Sequence, residues 1–430
     1  MTAEIQDLEV VETRKLASFR TVDAIEPIVG ADAIELAVVG GWKVVTKKGE
    51  FQPGDPCVYF EIDSFLKDGV PAWQFLVDKQ PKMQGGVRGH RLRTIKLRGQ
   101  ISQGLILKIS EFPVLEQILN PTLTLARDIE DPAYNCWFGL HEYEAALSPQ
   151  DLNLNLVLDV VKWDPPLPAQ LQGMAEGLFP SWIRKTDQER AQNLKDEIFG
   201  YDDVVIPANA ELGRPEIVRR GKAQRFARYE VTMKMDGSSA TFFHRDGEVG
   251  VCSRNLQLKV CDGNKENSFV RMLFDSGLDL VLPQFGNIAV QGELMGPAIQ
   301  GNRENLKDFT LYIFDVQLID EGRNMTSTER LAFVNELISR GVNPNKVKHA
   351  PVLTRAADGS LTWRCHIPDL PDASWFTLEE LGLLKMEDLL AFAEGPSLVH
   401  AIREGLVYKR EDGTFSFKTI SNAYLAKEKD

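Results

Sequence analysis

The sequence predicts an α+β protein in which a small N-terminal β-barrel of OB type precedes a larger second domain. Three observations carry this. The first hundred or so residues contain about five or six short strands separated by turns, with no long helix among them. A length of 430 residues exceeds one ordinary domain. Between the halves, Trp163-Asp164-Pro165-Pro166-Leu167-Pro168 forms a stiff extended tract of the kind that links domains. The expected division is 1–125 for the barrel, 126–170 for a linker or insertion and 171–430 for the second domain.

Within the barrel, the expected strands are Ala17–Val22, Ala33–Val39, Trp42–Thr46, Cys57–Ile62, Leu92–Arg98 and Gly104–Ile109. Gly40-Gly41 and Pro53-Gly54-Asp55 supply turns between them. Barrels of this kind bind nucleic acid through a basic groove carrying aromatic platforms. The candidates here are Trp42, Lys43, Lys47, Lys48, Arg93, Lys96 and Arg98. Residues 111–150 match no motif, although Val114–Leu119 and Glu142–Leu147 have helical character.

Composition narrows the class. Hydrophobic residues make up 43% and charged residues 26%, as in a water-soluble globular protein. No apolar run is long enough to span a bilayer, so no membrane partner is expected. The acidic N-terminus lacks the pattern of a signal peptide. Five scattered cysteines form neither a metal-site spacing nor a disulfide framework. A cytoplasmic location is the expectation. The net charge of −13 hides two basic clusters. One runs from Arg88 to Arg98, eleven residues without an acid; the other comprises Arg214, Arg219, Arg220, Lys222, Arg225 and Arg228. Basic clusters are more often solvated faces, but two in an acidic chain point towards phosphate contacts.

The second cluster leads into the stretch on which the second domain is organised, Tyr229-Glu230-Val231-Thr232-Met233-Lys234-Met235-Asp236-Gly237. It reads as a strand ending in a lysine, an Asp-Gly turn and a return strand through Ala240–Phe243. A lysine in a partly buried site can lose its proton and attack an electrophile. Lys-x-Asp-Gly by itself is a weak signal, and a strand-end lysine before an ordinary hairpin turn would look the same. Its company is specific: Ser253-Arg254-Asn255, Gln291-Gly292-Glu293-Leu294-Met295-Gly296, Leu311-Tyr312-Ile313-Phe314-Asp315, Arg403-Glu404-Gly405-Leu406-Val407-Tyr408-Lys409 and Phe415-Ser416-Phe417-Lys418 follow in order.

At these residues the chain resembles the covalent nucleotidyltransferases, and most of all the ATP-dependent, nick-sealing RNA ligases that carry an N-terminal OB domain. The resemblance implies a second domain of antiparallel sheets with helices. It implies ATP and Mg²⁺ or Mn²⁺ as cofactors and RNA, or an RNA-containing nicked duplex, as the partner. Lys234 would become lysyl-AMP, which requires a neutral amine and hence a pKa well below about 10.4. Asp236, Glu293 and Glu404 would hold the divalent metal, mainly through its waters, as oxygen ligands suit such ions. Lys418 would contact the α-phosphate, Phe314 and Val407 would flank the adenine, and Arg254 would bind ribose or the acceptor 3′ end. Met233 and Gly237 would border the nucleotide.

Further upstream, Lys185-Thr186-Asp187-Gln188-Glu189-Arg190-Ala191-Gln192-Asn193 is similar to the segment that helps build the nucleotide pocket in these ligases. Arg190, Gln192 and Asn193 are its candidates, and Thr186 or Asp187 is expected to cap a following helix. The chain departs from many relatives at Ser416, where they carry lysine, and at Met233, where they carry glutamate; the backbone there could still read adenine. DNA ligases and capping enzymes place their OB domain after the last motif, whereas only twelve residues follow Lys418. The alternative of another class is a nucleic-acid-binding protein with an inactive transferase domain, against which the intact Lys234, Asp236, Glu293, Glu404 and Lys418 set speaks. Segment 345–400 is expected to be an insertion with a helical period over Thr377–Glu394 and no chemistry.

Overall fold

The computed structural model describes residues 15–115, 154–164, 173–206, 216–366 and 374–427. The chain divides into two units, Met1–Pro166 and Leu167–Asp430.

The N-terminal unit is built from short strands, but among the described residues they do not close into a barrel. Ala17–Thr21, Pro56–Phe60 and Leu105–Leu107 form one sheet, Ala24–Pro27, Ile34–Val39 and Trp42–Lys47 a second, and Val161–Lys162, Ser64–Lys67, Val87–Arg91 and Lys82–Gln84 a third. Where Gln100–Gln103 runs beside Trp42–Lys47, the Val45 N–H donates to the Ser102 hydroxyl (3.0 Å). The hairpin of Thr94–Leu97 with Gln100–Gln103 pairs only with itself. Segment 154–164, expected to be linker, packs into this unit. The Asn155 side chain accepts from the Leu16 and Ala17 N–H groups (2.8 and 2.9 Å), and Leu154, Leu158 and Val160 join the core of Phe60, Trp73 and Phe112. Both helices anticipated within 111–150 extend into or lie within residues outside those described.

Two expectations about the nucleic-acid face need correction. Trp42 is fully buried, stacked 5.5 Å from Tyr59 in a core with Val44 and Phe51, because it occupies an inward position of its strand. It is no platform. Two of the five basic residues in the acid-free run of Arg88 to Arg98 pair with acids distant in sequence: Arg88 with Asp68 (2.5 Å) and Arg91 with Asp63 (2.7 Å). Lys96 and Arg98 are exposed on the hairpin beside the exposed Ile95 and Leu97.

The C-terminal unit contains two large, mostly antiparallel sheets. The first runs Glu189–Arg190, Ser416–Ile420, Gly405–Arg410, Arg228–Lys234, Val352–Arg355, Leu361–Arg364, with Trp375–Thr377 also on the Arg228 strand. The second runs Ala175–Leu178, Leu256–Leu258, Glu248–Cys252, Ser238–Arg245, Ile288–Met295, Thr310–Leu318, Arg323–Asn324, with Val347–His349 alongside Thr310–Leu318 in parallel. Helix Ser327–Ser339 packs on the second sheet and opens with a capping box, Thr326 Oγ1 accepting from the Glu329 N–H while Glu329 accepts from that of Thr326.

The expected hairpin at Lys234 is not one. Arg228–Lys234 belongs to the first sheet and Ser238–Arg245 to the second, so Asp236-Gly237 carries the chain across from one to the other. Gly237 is required there, since a Cβ would lie 2.5 Å from the Leu294 carbonyl and 2.9 Å from Glu293 Cγ. Segment 345–400 also proves integral. It supplies two neighbours of the Lys234 strand, pairing Thr232 with Val352 and Tyr229 with Phe376. Its helix covers only Met386–Phe392, because Gly382 takes φ +71° and breaks the anticipated period.

Candidate active site

Sheet register places the candidate residues on one face. Side chains of cross-strand partners point the same way. Thr232, Val407 and Lys418 are such a row, and Lys234, Gly405 and Ile420 form the next. The opposite face, Tyr229, Val231, Leu406, Tyr408 and Phe417, is sealed in a core with Leu389 and Leu390 of the 386–392 helix. Gly405 lets the strands close up, as a Cβ would clash with the Thr419 carbonyl; Gly292 does the same against Leu311 and Tyr312. Both glycines thus serve strand packing.

Lys234 ends its strand as a cation. Its Nζ lies 2.7 Å from Glu404 Oε1. Burial pushes the amine pKa down, but Glu404 and then Glu293 more than offset this, so the pKa stands above its ordinary value. The expected depression is therefore absent with the site holding only protein groups. Glu293 accepts from the Gly237 N–H (3.1 Å), and burial, opposed by Lys234 and reinforced by Glu404, pushes its carboxyl up to about 7. Asp236 is also raised, by burial and by Glu404, and its Oδ2 lies 3.3 Å from Arg303. Three carboxylates thus share two cationic side chains, Lys234 and Arg303. Such a donor set fits a hard divalent ion. Among the described residues no group of three or more His, Cys, Asp or Glu side chains is placed to hold an ion directly, so the set suits one that keeps its waters.

Lys418 pairs with Asp187 (2.7 Å), the residue expected to cap a helix. Asp187 caps no helix: Glu189–Arg190 is a short strand parallel to Ser416–Ile420, with Arg190 opposite Lys418, a 3₁₀ turn over Ala191–Leu194 comes next, and the helix begins only at Lys195. Arg190 and Gln192 are buried there, and Asn193 donates to Glu189 (2.7 Å).

Phe314 is placed by an irregularity that no motif encodes. The Ile288–Met295 strand pairs Gln291 with Asp315 but Gly292 with Ile313, leaving Phe314 as the extra residue of a β-bulge. Bulges re-aim a side chain. Phe314 is half-buried within a run of buried neighbours, as is Val407 on its own strand. The bulge also frees the Phe314 carbonyl, which accepts from Lys409 Nζ (2.6 Å). Lys409 lies two residues beyond Val407 and so on the same face, which turns Val407 towards the Phe314 strand.

Two candidates depart from expectation. Met233 buries its side chain with Met235, Met295 and Tyr312, and its N–H donates to the Pro351 carbonyl (2.8 Å), so neither can read a base. Arg254 is exposed on the bend between Glu248–Cys252 and Leu256–Leu258, and among the described residues no side-chain hydrogen bond or ion pair engages it.

Further along the same face lies a charge network the sequence did not disclose. Arg330 grips both oxygens of Glu230 (2.6 and 2.7 Å) and donates through Nε to His349 Nε2 (3.0 Å). His349 must then donate through Nδ1 to the Ala350 carbonyl (2.6 Å), and its pKa, driven down by burial and Arg330, is about 4. Lys409 pairs with Asp315 (2.6 Å). Glu230 and Lys409 belong to the first sheet and Asp315 to the second, so these ions hold the two together. Arg303 and Arg403 are likewise new. Arg303 joins Asp236 to the Ile402 carbonyl (2.8 Å), and Arg403 satisfies the carbonyls of Phe392, Ala393 and Glu394 at the end of a helix.

Comparison with known proteins identifies the family. An RNA ligase family model matches residues 227–422, and an OB-fold domain model matches residues 16–109. Among solved structures, the chain is similar to a Naegleria gruberi RNA ligase at 37% identity. A form of that protein with ATP and Mn gives TM-score 0.69, covering 97% of this chain and 100% of the other. A form with AMP and Mn gives 0.68 with the same coverage, and one with pyrophosphate gives 0.68, covering 96% and 98%. A search of curated proteins finds no match. With a full-length relative at this identity and both domains matched in order, the chain belongs to the RNA ligase family.

Proposed function

We propose that this protein is an ATP-dependent RNA ligase that joins a 3′-OH RNA end to a 5′-phosphate end at a nick in a duplex. The reaction runs through lysyl-AMP on Lys234 and an AMP-capped 5′ end. The observation that carries this reading is the single face on which Lys234, Val407 and Lys418 stand, with Asp236, Glu293 and Glu404 around the lysine. The complexes of the Naegleria gruberi enzyme with ATP and Mn, and with AMP and Mn, support ATP and a divalent ion as its cofactors.

In the first step Lys234 Nζ forms a bond to the α-phosphorus and the bond to the β-phosphate oxygen breaks, pyrophosphate leaving with the electron pair. The Glu404 ion pair keeps Nζ protonated and aimed until the nucleotide arrives. A divalent ion held by Asp236, Glu293 and Glu404 would favour the neutral amine and neutralise charge at the α-phosphate. Lys418, freed from Asp187, is placed to contact the same phosphate, and Phe314 and Val407 to enclose the base. Lys234 is then the leaving group when the RNA 5′-phosphate takes AMP, and AMP leaves when the 3′-OH attacks.

Glu293 makes a pH-dependent consequence testable. Its folded pKa of about 7 lies above the ordinary 4.5, so its ionisation opposes folding and stability falls as pH rises between those values. A divalent ion relieves that penalty. Mg²⁺ should therefore raise the melting temperature more at pH 8 than at pH 5.5, and Glu293→Gln should remove the difference. Equal shifts in the unmodified protein at both pH values would contradict a role for Glu293 in holding the ion.

The function itself is tested by sealing nicked duplexes assembled from all combinations of RNA and DNA strands, with ATP or GTP. Sealing of a 3′-OH RNA strand with ATP but not GTP is expected. Absence of sealing on every RNA-containing nick would remove the reading.

A further inference from the structure

The connection that feeds the Lys234 strand carries a second basic surface. Tyr201–Ile206 pairs with Glu216–Gly221, and helix Ala223–Phe226 leads from there into Arg228–Lys234. Tyr201 is half exposed at the start of this pair. The Arg219 guanidinium lies 4.9 Å from its ring centroid, and Arg225 lies 5.8 Å away and donates to its hydroxyl (2.9 Å). Beside it is a cleft of about 340 Å³ lined by Lys195, Asp196, Phe199, Gly200, Tyr201, Arg219 and Lys222. Phe226 is 59% exposed next to it. Asp196 is the acid of the cleft, and Asp202 and Asp203 stand across the strand pair from Arg220 and Arg219. Among the described residues, no ion pair links Arg219, Arg220, Lys222 or Arg225 to a carboxylate. That contrasts with Arg88 and Arg91 of the N-terminal unit, which are both ion-paired.

We infer that this surface binds an RNA strand flanking the nick, with Arg219, Arg220 and Lys222 on its phosphates and Tyr201 against a base or ribose. Unpaired guanidinium and ammonium groups around an exposed ring are the chemistry of sequence-independent nucleic-acid binding. Arginine already stacked on the ring is pre-set for bidentate phosphate contact. The surface is fixed relative to the nucleophile: Tyr229 donates to the Gln224 carbonyl (2.7 Å), and Arg228–Lys234 then spans about 20 Å to the active lysine. That distance corresponds to roughly six nucleotides of duplex at 3.4 Å per step. Glutamate or aspartate side chains of a protein partner would also meet the cations, but the exposed ring between them favours a strand with stackable bases.

This inference rests on the RNA ligase reading, and the experiment separates the two. The full-length triple variant Arg219→Gln, Arg220→Gln, Lys222→Gln and the single variants Tyr201→Ala and Tyr201→Phe are compared with the unmodified chain. Self-labelling from α-labelled ATP reports the nucleotide chemistry, and fluorescence anisotropy with a nicked RNA duplex reports binding between 50 and 200 mM salt. Labelling should be unchanged in all variants. The triple variant should bind RNA at least about tenfold more weakly at low salt, with a log–log salt slope shallower by about 2. Tyr201→Ala should weaken binding without changing that slope, and Tyr201→Phe should retain it. Shortening one duplex arm to about four base pairs should lower affinity for the unmodified chain but not for the triple variant. Unchanged RNA affinity and slope in the triple variant would overturn the inference while leaving the ligase reading intact. Absence of labelling in the unmodified chain would instead overturn the ligase reading.

Discussion

Replacing Lys234 by alanine or by arginine should reduce self-adenylation to background. Alanine removes the nucleophile. Arginine keeps the positive charge beside Glu404 but stays protonated, because its pKa exceeds about 12 and nothing in this site could lower it enough. The ion pair is short, 2.7 Å, and both partners are largely enclosed, so Lys234→Arg should also preserve the fold around Glu404. Binding of ATP should persist in both variants, since Phe314, Val407 and Lys418 are untouched. The measurement is label from α-labelled ATP that remains with the denatured chain, alongside ATP affinity by calorimetry. Label retained by the arginine variant would exclude Lys234 as the site of covalent attachment.

The second large effect is on stability. Arg330→Met should cost about 3–5 kcal/mol, because it removes the group that grips both oxygens of the fully buried Glu230 carboxylate. For a unit of this size that corresponds to a fall in melting temperature on the order of 10 °C. Glu230→Gln combined with Arg330→Met should cost less than the sum of the two single changes, since the second removes the orphaned charge. The same variants should weaken ATP binding, as the network steadies the bulge that aims Phe314. A melting temperature within about 2 °C of the unmodified protein would show that the network contributes little.

How far the sequence reached can be read from particular residues. The sequence marks Lys234, Asp236, Glu293, Glu404 and Lys418 by motif spacing, with a glycine beside each of the three acids, and the sheet register brings Lys234 and Lys418 to one face. The OB-type unit was visible in its short strands and turns. What was missed depends on distance along the chain. Arg330 meets a carboxylate a hundred positions away, and Lys418 meets Asp187 across a similar separation in space and a larger one in sequence. Arg303 sits in a polar loop with no motif of its own. The bulge at Phe314 is a property of two strands together, so one strand's pattern could not reveal it. The ionisation of Lys234 was misjudged for a related reason. The catalytic chemistry demands a neutral amine, whereas the protein groups alone hold it charged through Glu404 and Glu293.

The central claim is that Lys234 carries AMP from ATP to an RNA 5′ end. Intact-mass and peptide mass spectrometry of the full chain, incubated with ATP and Mg²⁺, tests it most directly. A single AMP on the peptide containing Lys234 is predicted, and it should disappear when nicked RNA duplex with a 5′-phosphate is added, with sealed strand appearing in equal amount. AMP on any other residue, or AMP on Lys234 that persists in the presence of the nicked duplex, would contradict the account.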